Sequence, residues 1–121
     1  MSVQRTQRLA GQIRQELTEL MTRSVKDPGI GFLTLTSVRL TPDLQLARVF
    51  FTVLGDDKAR KETARALDRA KPFLRRQLSS RLRLRRVPEL DFRYDESIEQ
   101  QDRIEQILKQ IREERGPDDE G

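Results

Sequence analysis

The sequence contains no cysteine, no histidine and no tryptophan, and aromatic residues make up only 5% of its 121 residues. These absences exclude disulfide bonds, cysteine-based zinc sites, Ser-His triads and the usual acid-base group near neutral pH. An enzyme built from the remaining residue types would depend on carboxylates, Lys or Tyr. We therefore expect neither a metal ion nor a cofactor.

Long apolar runs are also absent, and the first residues contain no apolar segment of the kind found in secretory signals. The expectation is a cytoplasmic protein without a membrane partner. Hydrophobic residues make up 35% of the chain and charged residues 36%, so the core must be small. We expect a single domain over residues 1–115, followed by a disordered acidic tail at 116–121.

Acidic residues are missing from one segment in the second half of the chain. Between positions 69 and 86 all charged residues are cations, namely Arg69, Lys71, Arg75, Arg76, Arg81, Arg83, Arg85 and Arg86. Residues 1–88 hold 19 of the 24 Lys and Arg but only 8 of the 20 Asp and Glu, a net charge of +11, whereas residues 89–121 carry −7. Such a one-sign segment repels itself and favours a polyanionic partner.

The apolar residues of this segment indicate that it is folded. Leu74, Leu78 and Leu82 recur every four residues, which predicts a helix from about Pro72 to Leu84 with its arginines on the outer face. A weaker pattern predicts another helix over Lys58–Ala70, capped by Asp56. Because Pro72 suits a first helical position and interrupts a preceding helix, we expect a break at Ala70, Lys71 and Pro72.

The rest of the chain shows alternating helical and strand patterns. Helices are predicted over residues 4–25 and after Ser97, the latter with an apolar stripe of Ile98, Ile104, Ile107, Leu108 and Ile111. Strands are predicted over 32–40, 45–54 and 87–94, with a turn at 41–44 and the second strand central. The aromatic residues, Phe32, Phe50, Phe51, Phe73, Phe92 and Tyr94, are assigned to the core rather than to base stacking. The fold class is α+β, with a three-stranded sheet packed by helices.

The order helix, strand, strand, helix, helix, strand, followed by a C-terminal helix, resembles that of a type II KH domain. Four sequence blocks are more specific: K-D-P-G-I-G-F from Lys26, V-L-G-D from Val53, R-L-R-L-R-R-V-P-E-L from Arg81 and Y-D-E-S from Tyr94. They resemble the ribosome-binding factor A family over roughly residues 8–111. The resemblance implies a KH-like RNA-binding fold without catalytic activity. It also implies the 30S subunit and the 5′ region of 16S rRNA as partners during maturation and rRNA processing, with other assembly factors as further partners.

The same resemblance places an Ala-x-Gly kink between the paired helices, at Ala70, Lys71 and Pro72. Since proline lacks an N–H and cannot offer the close backbone approach of glycine, phosphate contact is assigned to side chains. The predicted RNA-binding residues are Arg5, Arg8, Arg69, Lys71, Arg75, Arg76, Arg81, Arg83, Arg85 and Arg86. Contact should be mainly to RNA backbone and shape, with salt-sensitive affinity. We expect a monomer and no DNA partner.

Two other functions fit parts of the sequence. Asp91, Asp95 and Glu96 could serve a carboxylate- or metal-dependent nuclease, although capping and solubility also explain them and no second carboxylate cluster completes a two-metal site. The basic segment could instead bind an acidic protein without RNA. The arginine excess itself has two equally supported explanations, which are phosphate recognition and a compositional bias of codon usage or heat adaptation.

Overall fold

The computed structural model describes residues 3–23, 29–30 and 33–115, except for the side chains of 98–102 and 115. The predicted tail at 116–121, the block at 26–32 with Phe32 but apart from residues 29 and 30, and the side chain of Ile98 therefore lie outside the described residues. The elements are α1 (Val3–Arg23), β1 (Leu33–Leu40), β2 (Leu46–Val53), α2 (Asp57–Leu82), β3 (Glu89–Tyr94) and α3 (Ser97–Arg115). The chain is thus α+β, as predicted.

The three strands form one mixed sheet in the order β1-β2-β3. β1 pairs with β2 antiparallel, with a register shift between Leu35 and Ser37, and β2 pairs with β3 in parallel. The turn between β1 and β2 is closed by a 2.8 Å hydrogen bond from the Leu44 N–H to the Thr41 carbonyl. The predicted hairpin and the central position of β2 are confirmed.

The core lies between one face of this sheet and the helices α1 and α2. Alternate residues of β2 are buried there because a strand turns successive side chains to opposite faces. The buried hydrophobic residues of the described chain belong to α1, α2 or this face of the sheet: Ala10, Ile13, Leu17, Leu20, Leu35, Ala47, Val49, Phe51, Val53, Ala66, Leu67, Leu74, Leu78 and Leu90. Phe73, Phe92 and Tyr94 pack against this cluster, as expected for core aromatics.

The prediction of two helices in this region was wrong, because the structure has one helix, α2. It runs unbroken from Asp57 to Leu82 with Pro72 inside it, so no break occurs at Ala70, Lys71 and Pro72. The missing N–H of Pro72 removes one intrahelical hydrogen bond. Buried residues nevertheless continue in phase across it, with Leu67 three residues before Ala70 and Leu74 four residues after it. Packing of both halves on one core therefore outweighs the missing bond.

The N-terminus of α2 agrees with the sequence expectation. Asp56 has an extended backbone, and its Oδ1 accepts a 3.0 Å hydrogen bond from the Ala59 N–H. Thr63, buried in the same helix, donates its hydroxyl to the Gly29 carbonyl at 3.4 Å. These contacts set the position and direction of the helix that carries half of the predicted RNA-binding residues.

α3 follows β3 but leaves its apolar stripe in solvent. The side chains of Ile104, Ile107, Leu108 and Ile111 are between 41% and 58% exposed. The predicted helix is present, and its stripe is not part of the core. Within the described ranges, none of the helices is long and apolar enough to cross a membrane.

Candidate functional site

Four of the predicted cations meet in one cleft between the last turns of α2 and the segment that leads to β3. The cleft has a volume of about 450 Å³ and is lined by Arg75, Arg76, Ser79, Arg85, Arg86 and Val87. We call it the arginine cleft. None of its lining residues is acidic, so four arginine residues share one shallow, open surface without a carboxylate among them. Such a surface favours anions.

The end of α2 creates this cleft by reversing the chain. Arg83 adopts a left-handed conformation with φ of 52°, and its N–H donates to the Ser79 carbonyl. The Leu84 N–H donates to the same carbonyl at 3.1 Å, and the Ser79 hydroxyl donates to the Leu84 carbonyl at 3.1 Å. The Ser79 carbonyl near the helix end thereby accepts two hydrogen bonds, and the Leu84 carbonyl beyond the helix accepts one. These bonds also turn the following arginines back toward α2.

Arg75 braces the wall of the cleft. Its Nη2 donates a 3.0 Å hydrogen bond to the carbonyl of Val87, while its Nε is buried without a hydrogen-bond partner in the described part of the chain. Beyond Val87, the Glu89 N–H donates to the Gln45 carbonyl at 2.9 Å and begins β3. Arg75 therefore links α2 to the segment carrying Arg85 and Arg86, both of which are exposed.

Arg81 and Lys71 have carboxylate partners among the described residues. Arg81 lies 3.0 Å from Glu16 and 3.4 Å from Glu19, both on α1, and these acids raise the pKa of its guanidinium, chiefly through the Glu16 hydrogen bond. Lys71 lies 3.0 Å from Asp68, one helical turn away. Arg81 thus contributes to the α1–α2 contact, and neither side chain lines the arginine cleft.

The other predicted cations do not line the cleft. Arg83 is exposed at the turn itself. Arg69 is exposed seven residues before Arg76, which places both on the same side of α2 about 10 Å apart along its axis. Arg5 and Arg8 are exposed on the first turns of α1 and do not line the cleft. The structure therefore brings together four of the ten predicted residues.

Two of the three carboxylates of the alternative nuclease hypothesis, Asp91 and Asp95, have structural partners. Asp91 lies 2.8 Å from Arg93 and 4.0 Å from Arg48. Asp95 accepts hydrogen bonds from Ser97 and Thr36, and these bonds lower the pKa of its carboxyl group. Among the described residues, no three His, Cys, Asp or Glu side chains come together in a group that could hold a metal ion.

Another set of cations was missed because its members are far apart in sequence. Arg39, Arg48 and Arg93 lie on three different strands, on the sheet face opposite the helices. Phe50 lies among them, half-buried and outside the core cluster, so its assignment to the core was wrong. Strand alternation alone already placed Phe50 opposite Phe51. The pairing register, which brings the arginines to Phe50, could not be read from the sequence.

Fold and cleft together define a class: an α+β domain with a KH-like strand-helix-strand core and an arginine-lined cleft at the end of its long helix. The family model for ribosome-binding factor A matches residues 5–108. Ribosome-binding factor A of Geobacter sulfurreducens is 47% identical over 115 residues, which cover 95% of this chain and 98% of that protein. The chain belongs to the ribosome-binding factor A family.

Solved structures agree with this assignment. The crystal structure of ribosome-binding factor A from Thermus thermophilus matches with a TM-score of 0.67 and 30% identity, covering 74% of this chain and 93% of that one. A homology model of the Thermus thermophilus factor, fitted into the cryo-EM map of its complex with the 30S subunit, matches with a TM-score of 0.63 and 30% identity. It covers 75% of this chain and 96% of the other.

Proposed function

We propose that this chain is a non-catalytic, cytoplasmic assembly factor that binds the 30S ribosomal subunit as a monomer. In this proposal it contacts the 5′ region of 16S rRNA and assists maturation and rRNA processing. Residues 1–115 act as one KH-like RNA-binding domain. Support comes from membership of a family named for ribosome binding and from the Thermus thermophilus relative that was fitted into a 30S complex.

The observation that carries the proposal is the arginine cleft. A guanidinium group can hold a phosphate through two parallel hydrogen bonds, and four such groups line this surface without an acid. Arg76, Arg85 and Arg86 provide the direct phosphate contacts, whereas Arg75 holds the wall through the Val87 carbonyl. Binding to backbone phosphates releases counterions, so affinity falls as salt rises.

Co-sedimentation tests this proposal. The purified protein is centrifuged with 30S subunits, 50S subunits and assembled ribosomes over a salt series, beside a cleft variant, R76Q/R85Q/R86Q. The control, R103Q/K109Q/R112Q, removes the same number of exposed cations from α3. We expect retention on 30S alone, weakening with salt, and a slope reduced in the cleft variant by about 0.7–0.9 for each phosphate that the variant no longer neutralises.

Two results would contradict the proposal. Equal loss of binding in the cleft and α3 variants would show that binding depends on the total charge of the protein and not on the arginine cleft. Equal retention on all three particles would remove the specificity for 30S. Pull-down with and without RNase gives a further check, because retention of a protein partner after RNase treatment would favour the acidic-protein hypothesis instead.

A further inference from the structure

The sheet has a second face, turned away from α1 and α2. The side chains alternate with the buried ones, so this face is composed of Thr34, Ser37, Arg39, Leu46, Arg48, Phe50, Thr52, Glu89, Asp91 and Arg93. We call it the open sheet face. Each of these residues is exposed or half-buried. None of them belongs to the core cluster, which covers the opposite face of the sheet.

The register arranges this face in two adjoining rows. Arg39, Arg48 and Asp91 lie opposite one another in one row, and Ser37, Phe50 and Arg93 in the next. The guanidinium carbon of Arg39 lies 5.8 Å from the centroid of the Phe50 ring. An aromatic ring in the middle of a sheet surface is thus bordered by arginines from both outer strands.

The charges of this face are incompletely balanced within the chain. Arg39 and Arg48 are directly opposite each other on neighbouring strands, an arrangement that destabilises a sheet unless an anion lies between them. Asp91 is shared by Arg93 at 2.8 Å and Arg48 at 4.0 Å, and the Arg48 and Arg93 side chains remain 53% and 59% exposed. A guanidinium has five N–H donors, so most donors on this face point to solvent.

Among the described residues, the other carboxylates near this face balance the charge of these arginines only in part. Asp95, beyond the end of β3, is engaged by Thr36 and Ser97, although its charge also interacts with Arg39. Glu89 pairs in register with Leu46, at the opposite end of the sheet from Arg93. The surroundings of Phe50 therefore favour an anionic ligand that also presents a flat apolar surface.

We propose that the open sheet face is a second RNA-binding surface, which takes a single-stranded segment. One base stacks on Phe50, and the phosphates on either side of it contact Arg39, Arg48 and Arg93. Base stacking on an aromatic side chain is open only to unpaired nucleotides. The three strands span about 10 Å, enough for two or three nucleotides.

This surface is separate from the arginine cleft. The cleft is formed by α2 and the segment after it, and none of its lining residues belongs to the open sheet face. Both surfaces can therefore be occupied together. The inference rests on the proposed rRNA contact and extends it from one segment of RNA to two. Single-strand binding at Phe50 can nevertheless be measured independently of the RNA bound in the cleft.

The test is fluorescence anisotropy with a labelled ten-nucleotide single strand of oligouridine and, as a comparison, a short RNA duplex. It is made in the R76Q/R85Q/R86Q background so that the cleft does not contribute. We expect F50L to weaken single-strand binding about fivefold or more, F50W to retain it, and R39Q/R48Q to weaken it and lower the salt slope. R103Q/R112Q, which removes two exposed arginines from α3, is the control and should bind unchanged.

The variants separate the possible outcomes. Unchanged binding in both F50L and R39Q/R48Q, with circular dichroism showing folded proteins, would overturn the inference. Equal losses in F50L and F50W would also overturn it, since stacking would then not be involved. Variants that lose 30S binding but keep oligouridine binding would mark the face as a protein contact instead. If the protein shows no preference for 30S subunits but still binds oligouridine through Phe50, the proposed function is wrong and the inference about the open sheet face stands.

Discussion

Thr36 donates a 2.6 Å hydrogen bond from its hydroxyl to the carboxylate of Asp95, joining residues 59 positions apart. The Asp95 N–H donates to the Phe51 carbonyl at 2.8 Å, and the Asp95 carboxylate accepts the Ser97 N–H at 2.9 Å. Asp95 thus connects all three strands with the start of α3.

Replacing Thr36 with Val should lower the free energy of unfolding by about 1 kcal/mol, measured by urea denaturation, because the Asp95 carboxylate loses a hydrogen-bond donor. No change in the midpoint would contradict this role.

The same carboxylate predicts a dependence of stability on pH. Hydrogen bonds from Ser97 and then Thr36 hold the pKa of Asp95 below its ordinary value of 3.8. A lowered pKa in the folded state stabilises the protein above the unfolded value, and this stabilisation is lost as pH falls through the folded value. Wild type should therefore exceed Asp95→Asn in stability at pH 7, and the difference should shrink below pH 3.8. A difference that is constant from about pH 7 to pH 3 would contradict the prediction.

Pro72 offers a test of the continuous helix. Pro72→Ala supplies the missing N–H in the interior of α2 and should raise the free energy of unfolding by roughly 1–3 kcal/mol, partly offset by a more flexible unfolded chain. Ser80→Ala, another exposed position of α2, is the control and should change it by about 0.5 kcal/mol or less. Urea denaturation measures both. A destabilised Pro72→Ala variant would mean that the helix depends on the proline.

Arg83 occupies a backbone conformation that favours glycine. Its φ of 52° costs a residue with a side chain roughly 1 kcal/mol, so Arg83→Gly should stabilise the protein by about that amount. Arg83→Ala removes the same charge without relieving the backbone and should be nearly neutral. Thermal denaturation distinguishes the two. RNA affinity should change equally in both variants, because they lose the same cation next to the arginine cleft.

Glu16 and Glu19 pair with Arg81 and place two negative charges on α1, so removing those charges predicts a gain of binding. Changing both to Gln releases Arg81 and removes two negative charges from α1. Affinity for 30S subunits or oligouridine should rise by roughly twofold to threefold at low salt and return to the wild-type value at high salt, where charges are screened. Lower affinity would show that the α1–α2 contact is needed to position the site. Glu113→Gln/Glu114→Gln on α3 is the matched control.

Prediction from sequence succeeded where a local pattern decided the structure. The alternation in β2, the turn at residues 41–44 and the Asp56 cap were all found, since each depends on residues close in the chain. It failed at Pro72, where proline was expected to interrupt the helix. The core buries residues of α2 on both sides of Pro72, and the helix continues through it. Prediction from sequence also assigned Phe50 to the core, since composition does not reveal which face of a sheet remains uncovered.

The sequence alone determined the class of this protein: an α+β fold, a one-sign cationic segment and the motifs of its family. Those properties follow from residue order and charge, which need no knowledge of distant contacts. Only the tertiary structure decided which cations act together. It brought Arg75 and Arg76 to Arg85 and Arg86, directed Arg81 to α1, and placed Arg39 and Arg93 on either side of β2. Strand register and chain reversal set those distances, and both arise from packing between remote segments.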